Sequence, residues 1–364
     1  MKELEVIDRL RKAFPGCGIG DDAAVIPSAE GDQLFAADAS VEGVHFDLRF
    51  CTLSQAVQKL VTSNVSDVFA MGGRAGSIVF TAGLPAGCGA REVDGIIDGL
   101  KRSCAQYGVR LAGGDTVLSP GGFVFNVAIL GEASSGRAVP RSGARAGDLV
   151  VLFGEIGLSL AGLGILSAIC GGASGERAPV PRMHGLLESA DTIEKMLGRL
   201  SIATSDAELH GMALSLGGVG RAEEILRFVR RHLVPLARPL EAAFIDADPP
   251  RVTAMIDVSD GLAKDLKTLC EESGAGAVIR EEALPVPGAI GEIFGLEGSA
   301  LVDFAISSGE EYVMLAAVSG LAGESLPTGA TAIGTIGPAA GGIALVGDDG
   351  KKRPLPRLGY EHGF

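Results

Sequence analysis

The sequence lacks the short motifs by which many phosphoryl-transfer and acyl-transfer enzymes are identified. It contains no G-x-x-x-x-G-K-[ST] loop, no protein-kinase signature and no G-x-S-x-G elbow. These absences exclude a P-loop lysine and a nucleophile-elbow serine. Any phosphate chemistry in this chain therefore depends on carboxylates, glycines and bound metal.

Basic residues are also in short supply. The 364 residues include 31 Lys and Arg against 45 Asp and Glu, which gives a formal net charge of −14. Because such a field repels polyanions, nucleic acid and anionic membrane are poor partners. A ligand that carries phosphates needs intervening cations, and several carboxylates are needed to hold those cations.

Cysteines are few and dispersed. No two of them form a C-x-x-C pair or another metal-ligand spacing. The pattern disfavours a disulfide framework and predicts small buried thiols in a reducing compartment. The six are Cys17, Cys51, Cys88, Cys104, Cys170 and Cys270.

Signals for secretion or a membrane are weak. Residues 1–14 are charged throughout with apolar side chains at helical spacing, which predicts an amphipathic first helix of a cytoplasmic protein. Residues 156–175 carry no charge over a length that could span ~30 Å of hydrocarbon. Glycines interrupt this stretch, and it has neither an aromatic belt nor a basic flank. A buried strand, a glycine turn and a core helix are therefore favoured over a transmembrane helix.

Two domains are expected from the length, because a domain typically has ~100–200 residues. The first, residues 1–135, alternates apolar strands with helical patterns, which is typical of an α/β or α+β layer. Strands are predicted at 32–40, 76–84, 109–114 and 123–133, with helices at 54–71 and 91–107.

A glycine-rich basic segment at 134–148 reads as the domain linker. The second α/β domain then comprises residues 136–364 and begins with a strand at 149–153. Within it, residues 171–222 are rich in Gly, Ala and Ser, and we interpret them as an insertion.

Several carboxylates stand in settings that suit a metal. Asp21 and Asp22 follow two glycines in GIGDDAAVI, where oxygen ligands on a stiff loop suit Mg²⁺, although a simple turn explains the pattern equally well. Asp67 lies among apolar residues in NVSDVFAMGG and is either a helix-capping residue or a buried carboxylate that needs a partner. In DASVEGVHF, the pattern of Asp38 and His45 favours a functional role only slightly over an ordinary structural one.

Two glycine-containing motifs suggest contacts with phosphate. GGDTVLSPGG at 113–122 follows a predicted strand, so it is either a backbone-amide anion cradle or a hairpin turn. In DVSDGLAKDL at 257–266, Ser259 or Asp260 is expected to cap a helix. A second carboxylate there, Asp257, favours a metal or phosphate role. Arg141 could reach a phosphate, although one basic residue in a linker is more often solvated.

Taken in order, these motifs resemble those of the thiamine-monophosphate kinase family. They are GIGDDAAVI, DASVEGVHF, NVSDVFAMGG, GGDT, RSGARAGD, MIDVSDGLAKDL, SGEEYVML and GYEHGF. The resemblance implies a two-domain aminoimidazole ribonucleotide synthetase-like fold, in which the N-terminal sheets of a homodimer pair into a barrel. It also implies Mg²⁺-dependent transfer of the γ-phosphoryl group of ATP to thiamine monophosphate, giving thiamine diphosphate and ADP.

The resemblance also implies roles for individual residues. The implied metal ligands are Asp21, Asp38, Asp67, Asp115, Asp257 and Asp260, of which Asp38, Asp67 and Asp260 are counted as catalytic. The implied nucleotide contacts are Gly114, Asp115, Arg141 and Ser259. The implied contacts with thiamine monophosphate are His45, Glu310 and Tyr360.

Three positions depart from the family pattern. Ala36-Ala37 replaces the usual Thr-Thr, Ile97 stands near a position often held by tyrosine, and Glu311 replaces an aspartate. Ala36-Ala37 and the segment at 171–222 leave an alternative function open, namely that of a superfamily relative that uses ATP on another acceptor. A non-catalytic nucleotide-binding protein is the other alternative.

Overall fold

A computed structural model describes most of the chain, with gaps. The described residues are 3–13, 20–28, 31–169, 221–247, 251–319, 325–356 and 359–360. The insertion predicted at 171–222 falls outside them up to residue 220, so it stays a prediction, as does the domain boundary after residue 135.

The N-terminal part of the chain forms a five-stranded sheet. Its strands are β1 (Ala24–Ser28), β2 (Gly31–Val41), β3 (Arg74–Pro85), β4 (Arg110–Ser119) and β5 (Val124–Ala133). They lie in the order β1-β2-β5-β3-β4, and β3 with β4 is the parallel pair. The edge strands β1 and β4 are exposed along almost their whole length, whereas alternate residues of β2 and β5 are buried.

The C-terminal part forms a mixed seven-stranded sheet in the order β12-β11-β8-β10-β6-β9-β7. Its strands are β6 (Leu149–Phe153), β7 (Val252–Asp257), β8 (Ala275–Arg280), β9 (Met314–Val318), β10 (Ala330–Pro338), β11 (Ile343–Val346) and β12 (Lys352–Pro354). Every residue of β9 is buried, as expected for an apolar strand that is covered on both faces.

Helices flank both sheets. They are α1 (Glu3–Ala13), α2 (Leu53–Ala70), α3 (Ala90–Tyr107), α4 (Leu158–Ile169), α5 (221–233), α6 (Ala242–Ile245), α7 (Leu262–Glu272), α8 (Gly288–Phe294) and α9 (Gly298–Ile306). Short 3₁₀ turns lie at Glu281–Ala283 and Ala339–Gly341. Among the described residues, none of the helices combines the length and apolar character that a membrane span requires.

Helix α2 connects the two sheets and thereby positions the site. It begins at a capping box, in which Thr52 and Gln55 satisfy each other's backbone amides. Most of its residues are buried, because it packs on β2 and β5 of the first sheet, on helix α3 and on β7 of the second sheet. Polar residues in its last turns therefore lie between the two sheets.

Most of the predicted elements are confirmed, and two local expectations are wrong. The predicted turn or cradle at 113–122 is strand up to Ser119, because β4 stays hydrogen-bonded in parallel to β3. The helix at 262 begins after Gly261 with no side-chain cap from Ser259 or Asp260. Among the described cysteines, Cys88, Cys104 and Cys270 are free thiols; the predicted burial is confirmed for Cys270, whereas Cys88 and Cys104 are half-buried.

Candidate metal and phosphate site

Three carboxylates from distant parts of the chain converge between the sheets. Asp22 precedes β1, Asp67 lies in the last turn of α2, and Asp257 ends β7. Each offers a carboxylate oxygen, and these oxygens lie within 4.8 Å of one another. We call these three residues the aspartate cluster.

The cluster concentrates negative charge in a buried place. Burial, followed by repulsion from Asp38 and Asp257, raises the pKa of Asp67 well above its usual range. Burial and the charge of Asp22 raise the pKa of Asp257 to about 7. Burial also raises the pKa of Asp22, despite the opposing effect of Arg141. The cluster therefore favours a bound proton or a bound cation at neutral pH.

Asp38 of β2 borders this cluster. Its backbone amide donates to Asn64 Oδ1 at 3.1 Å, and its carbonyl accepts from Asn126 Nδ2 at 2.9 Å. Burial raises the pKa of the Asp38 carboxyl; the Ser63 hydroxyl opposes this rise, and the charge of Asp260 adds to it. Asp38 and Asp260 are therefore close enough to sense each other's charge.

Arg141 is the basic residue that faces the cluster from the linker. Its Nη2 donates to Asp22 Oδ1 at 2.5 Å, and its backbone amide donates to Asp21 Oδ1 at 2.7 Å. Burial opposes the charge of the guanidinium, but the facing carboxylates offset this effect and raise the pKa of Arg141. The linker arginine is thus an internal counter-ion rather than a solvated side chain.

Asp21 and Asp22 have different surroundings. Asp22 belongs to the cluster, whereas Asp21 accepts the Arg141 amide through its Oδ1. The metal role predicted for Asp21 stays a prediction. In this geometry Asp22 is the member of the pair that is placed to share a cation with Asp67 and Asp257.

A second group of predicted residues meets around the loop after β7. The Glu310 amide donates to the Ser259 carbonyl at 2.7 Å, and the Tyr360 amide donates to the Asp260 carbonyl at 3.1 Å. Glu310 and Tyr312 have φ angles of 58° and 51°, in the left-handed region of backbone conformation that residues other than glycine rarely adopt. Such strain is retained where surrounding contacts require it, often at functional sites.

Asp265 holds this loop and was not singled out from the sequence. Its Oδ2 accepts from the amides of Asp260 at 3.2 Å and Gly261 at 3.0 Å, which replaces the predicted side-chain cap. Burial and the charge of Asp260 raise its pKa well above the usual range. A carboxylate in the first turn of a helix was the signal available in the sequence.

Glu310 and Glu311 have separate partners. Glu310 Oε2 lies 2.8 Å from Lys59 Nζ and 3.4 Å from His232 Nδ1. The buried carboxylate of Glu311 accepts from the Ser159 amide at 2.9 Å and the Ser308 hydroxyl at 2.7 Å. The Glu311 side chain, which is longer than the aspartate of the family pattern, thus accepts a backbone amide at the N-terminus of α4.

The remaining predicted residues lie apart from the cluster. His45 lies in the turn after β2, where its Nδ1 accepts from the Val41 amide at 3.1 Å. Gly114 lies on the edge strand β4 beside Phe80, and Asp115 follows it. Asp38 is three strand spacings away from Gly114 across the sheet, about 14 Å.

The chain matches two family models. They are described as AIR synthase related protein, N-terminal domain, over residues 20–133, and AIR synthase related protein, C-terminal domain, over residues 197–342. The thiamine-monophosphate kinase of Synechococcus elongatus is 30% identical over 319 residues, which covers 87% of this chain and 82% of that protein. The thiamine-monophosphate kinase of Mycobacterium tuberculosis is 29% identical over 345 residues, which covers 93% and 86%.

Solved structures share the fold along the whole chain. The structure described as AaThiL complexed with AMPPCP and TMP has a TM-score of 0.75 at 26% identity, covering 100% of this chain and 97% of its own. The sequence relatives and the fold agree on one assignment. This chain belongs to the thiamine-monophosphate kinase family of AIR synthase related proteins.

Proposed function

We propose that this chain is a thiamine-monophosphate kinase that transfers the γ-phosphoryl group of ATP to thiamine monophosphate and releases ADP. Its relatives carry that name, and the similar structure holds AMPPCP and TMP. The observation that carries the proposal is the convergence of Asp22, Asp67 and Asp257 within 4.8 Å.

The cluster suits Mg²⁺. Its donors are all carboxylate oxygens, which this ion prefers. The buried Asp22 Oδ2 has no hydrogen-bond partner among the described residues, so an oxygen is available to a ligand. We propose Asp22, Asp67 and Asp257 as the core of the metal site, with Asp38 and Asp260 at its border and Asp21 and Asp115 as further candidates.

The bound metal would neutralise the charge of the phosphate groups that the reaction brings together. The chain's own part is to position those groups and the carboxylates that would bind the metal. No strong general base is required, because the second pKa of a phosphate monoester is ~6 and the acceptor oxygen is largely ionised at neutral pH.

The substrates would bind on either side of the aspartate cluster. Ser259, Glu310 and Tyr360 lie together around the loop after β7, which favours a role for Glu310 and Tyr360 in holding thiamine monophosphate. His45, in the turn after β2, is a further candidate for that role. We propose that the nucleotide contacts Arg141 and Ser259. Gly114 and Asp115 remain predicted nucleotide contacts on the opposite edge of the sheet.

We propose that the protein is a homodimer. Edge strands that expose apolar side chains are usually covered, because they offer unpaired backbone groups to another chain. On β4, the side chain of Leu118 is 76% exposed and that of Val117 is 50% exposed. Pairing of these edges with a second copy would close the barrel that the family resemblance implies. The free thiols of Cys88, Cys104 and Cys270 favour a reducing, cytoplasmic location.

A turnover assay tests the activity directly. Purified protein supplied with ATP, Mg²⁺ and thiamine monophosphate is expected to form thiamine diphosphate and ADP. Asp67→Asn should lower kcat/KM by roughly a hundredfold or more without unfolding the chain. The matched control, Asp94→Asn, removes an exposed carboxylate of α3 and should leave turnover unchanged.

The outcomes separate the alternatives. Folded wild-type protein that forms no thiamine diphosphate would refute the proposed acceptor, and a screen of ATP hydrolysis with other phosphate acceptors would then identify a different one. Mg²⁺-dependent ATP binding with no turnover on any acceptor would support a non-catalytic protein. A fully active Asp67→Asn variant would remove Asp67 from the metal site.

A further inference from the structure

Lys264 contacts two residues of the site that lie far apart in sequence. Its Nζ donates to Asp260 Oδ2 at 2.6 Å and to the carbonyl of Tyr360 at 2.8 Å. Asp260 follows β7, whereas Tyr360 lies close to the C-terminus of the chain. One ammonium group therefore joins a predicted metal ligand to a predicted substrate contact.

The position of Lys264 is unfavourable for an ordinary helix lysine. It stands in the first turn of α7, where the helix dipole disfavours a positive charge. Its partner Asp260 precedes the helix, so the pair is not a surface ion pair along a helix face. The two acceptors explain why a cation is held at this place.

The backbone repeats the connection that Lys264 makes. The Tyr360 amide donates to the Asp260 carbonyl at 3.1 Å, so Tyr360 is bound at both its amide and its carbonyl. A Cβ atom added at Gly359 would come within 2.9 Å of Lys264 Cβ and 3.0 Å of the Asp260 carbonyl oxygen. Gly359, with a φ of 122°, thus allows the close approach of the segment to α7.

The other side of Asp260 is fixed by Asp265, which accepts the amides of Asp260 and Gly261. The main chain at Asp260 is therefore immobilised, and a group bound to it is held in a defined place. We infer that Lys264 is a positioning residue that fastens Tyr360 to Asp260 and so keeps the acceptor side of the site assembled. This inference rests on the proposed function for the substrate that Tyr360 contacts.

The kinetic consequence concerns one substrate more than the other. If Lys264 positions Tyr360, its loss weakens binding of thiamine monophosphate while the aspartate cluster keeps its residues. The KM for thiamine monophosphate should rise, and the KM for ATP and the melting temperature should stay close to the wild-type values. A purely structural lysine would instead lower the melting temperature and leave both KM values unchanged.

Hydrogen exchange tests the contact without any substrate. In full-length protein with EDTA, Lys264→Met should accelerate exchange of the peptide that contains Tyr360 by roughly threefold or more, because the Tyr360 amide opens more often. Lys264→Arg should restore protection. The matched control is Lys267→Met, which removes a lysine of the same helix that pairs with Glu271 at 3.5 Å.

Steady-state kinetics of the same variants complete the test. Lys264→Met should raise the KM for thiamine monophosphate by roughly fivefold and leave the KM for ATP unchanged. Equal exchange in Lys264→Met and Lys267→Met would overturn the inference, as would an unchanged KM for thiamine monophosphate in an active enzyme. If the wild-type protein has no turnover, the proposed function fails, while the exchange comparison still decides whether Lys264 fastens Tyr360.

Discussion

The hydroxyl of Ser66 donates a hydrogen bond of 2.6 Å to Asp257 Oδ2, across 191 positions of sequence. Both residues are buried, one in α2 and the other at the end of β7. Because the hydroxyl favours the ionised carboxylate, it opposes the rise in the pKa of Asp257 that burial and Asp22 cause. The contact from helix α2 therefore supports Asp257, a ligand of the proposed metal site.

Ser66→Ala is expected to weaken Mg²⁺ binding. Loss of the hydroxyl raises the pKa of Asp257 further, so more protein carries a proton where the cation binds. A partner of a metal ligand typically contributes tenfold or more to affinity, and we expect a decrease of roughly tenfold by calorimetric titration.

The control for Ser66 lies on the same helix. Ser54 donates to Asp98 Oδ2 at 2.7 Å, which is the same type of contact away from the cluster. Ser54→Ala should bind Mg²⁺ as the wild-type protein does. Equal affinities in all three proteins would show that Ser66 does not act on the metal site.

The pKa of Asp257 predicts how stability depends on pH without metal. The folded pKa is about 7 and the ordinary value is 3.8, so between these values the folded state retains a proton that the unfolded state loses. Stability from this group is therefore present at low pH and is lost as pH rises through the window. In EDTA, the melting temperature should fall from about pH 4 to about pH 7 and level off above that.

Asp257→Asn and Mg²⁺ should both reduce this slope. The substitution removes the titrating group, and the cation favours the ionised carboxylates, so binding should strengthen as pH rises. Differential scanning fluorimetry over the pH range measures both effects, with Asp94→Asn as a control that keeps the wild-type slope. A melting temperature that rises with pH in EDTA would contradict the assignment.

Arg141 is expected to stabilise the metal-free protein more than the metal-bound one. Arg141→Met leaves the Asp22 carboxylate buried without its ion-pair partner and should cost about 2 kcal/mol of unfolding free energy in EDTA. Saturating Mg²⁺ should shrink this loss, because a bound cation takes over the neutralisation of the cluster. Urea unfolding with and without Mg²⁺ measures the difference.

Arg145 provides the comparison for Arg141, because it is an exposed arginine in the same linker. Arg145→Met should change stability little in either condition. An equal loss for Arg141→Met with and without Mg²⁺ would mean that the arginine acts only in packing. The KM for ATP should also rise in Arg141→Met if this residue contacts nucleotide as proposed.

Asp265 is expected to act through hydrogen bonding rather than charge. Asp265→Ala leaves the amides of Asp260 and Gly261 without their acceptor and should destabilise the protein by about 1–3 kcal/mol. Asp265→Asn keeps an accepting oxygen and removes a buried carboxylate whose pKa is raised, so its stability should match or exceed the wild-type value. Chemical unfolding separates the two, and equal losses would show that the charge itself is needed.

The local elements followed from the sequence because their causes are local. Apolar periodicity placed the strands and helices of the first domain within a few residues of their observed bounds, and the predicted strand at Leu149–Phe153 matches. The expected turn at 113–122 was wrong because parallel pairing with β3 continues through Ser119, and that pairing is invisible along the chain.

The residue types of the site followed from the sequence as well, since aspartates beside glycines and inside apolar helices need partners. The convergence of these aspartates in space did not follow from the sequence. Asp22 is the residue of the pair that approaches Asp67 and Asp257, whereas one oxygen of Asp21 accepts the Arg141 amide.

By itself, the sequence determined an α/β chain with acidic motifs in a fixed order, because propensity and periodicity act between near neighbours. Only the tertiary structure decided which carboxylates converge and which residues hold them in place. The carboxylates converge because α2 packs against both sheets. Tyr360 is held near them because Lys264 binds its carbonyl. Coulombic repulsion and burial act through space, so their effects on pKa and binding appear only once the chain has folded.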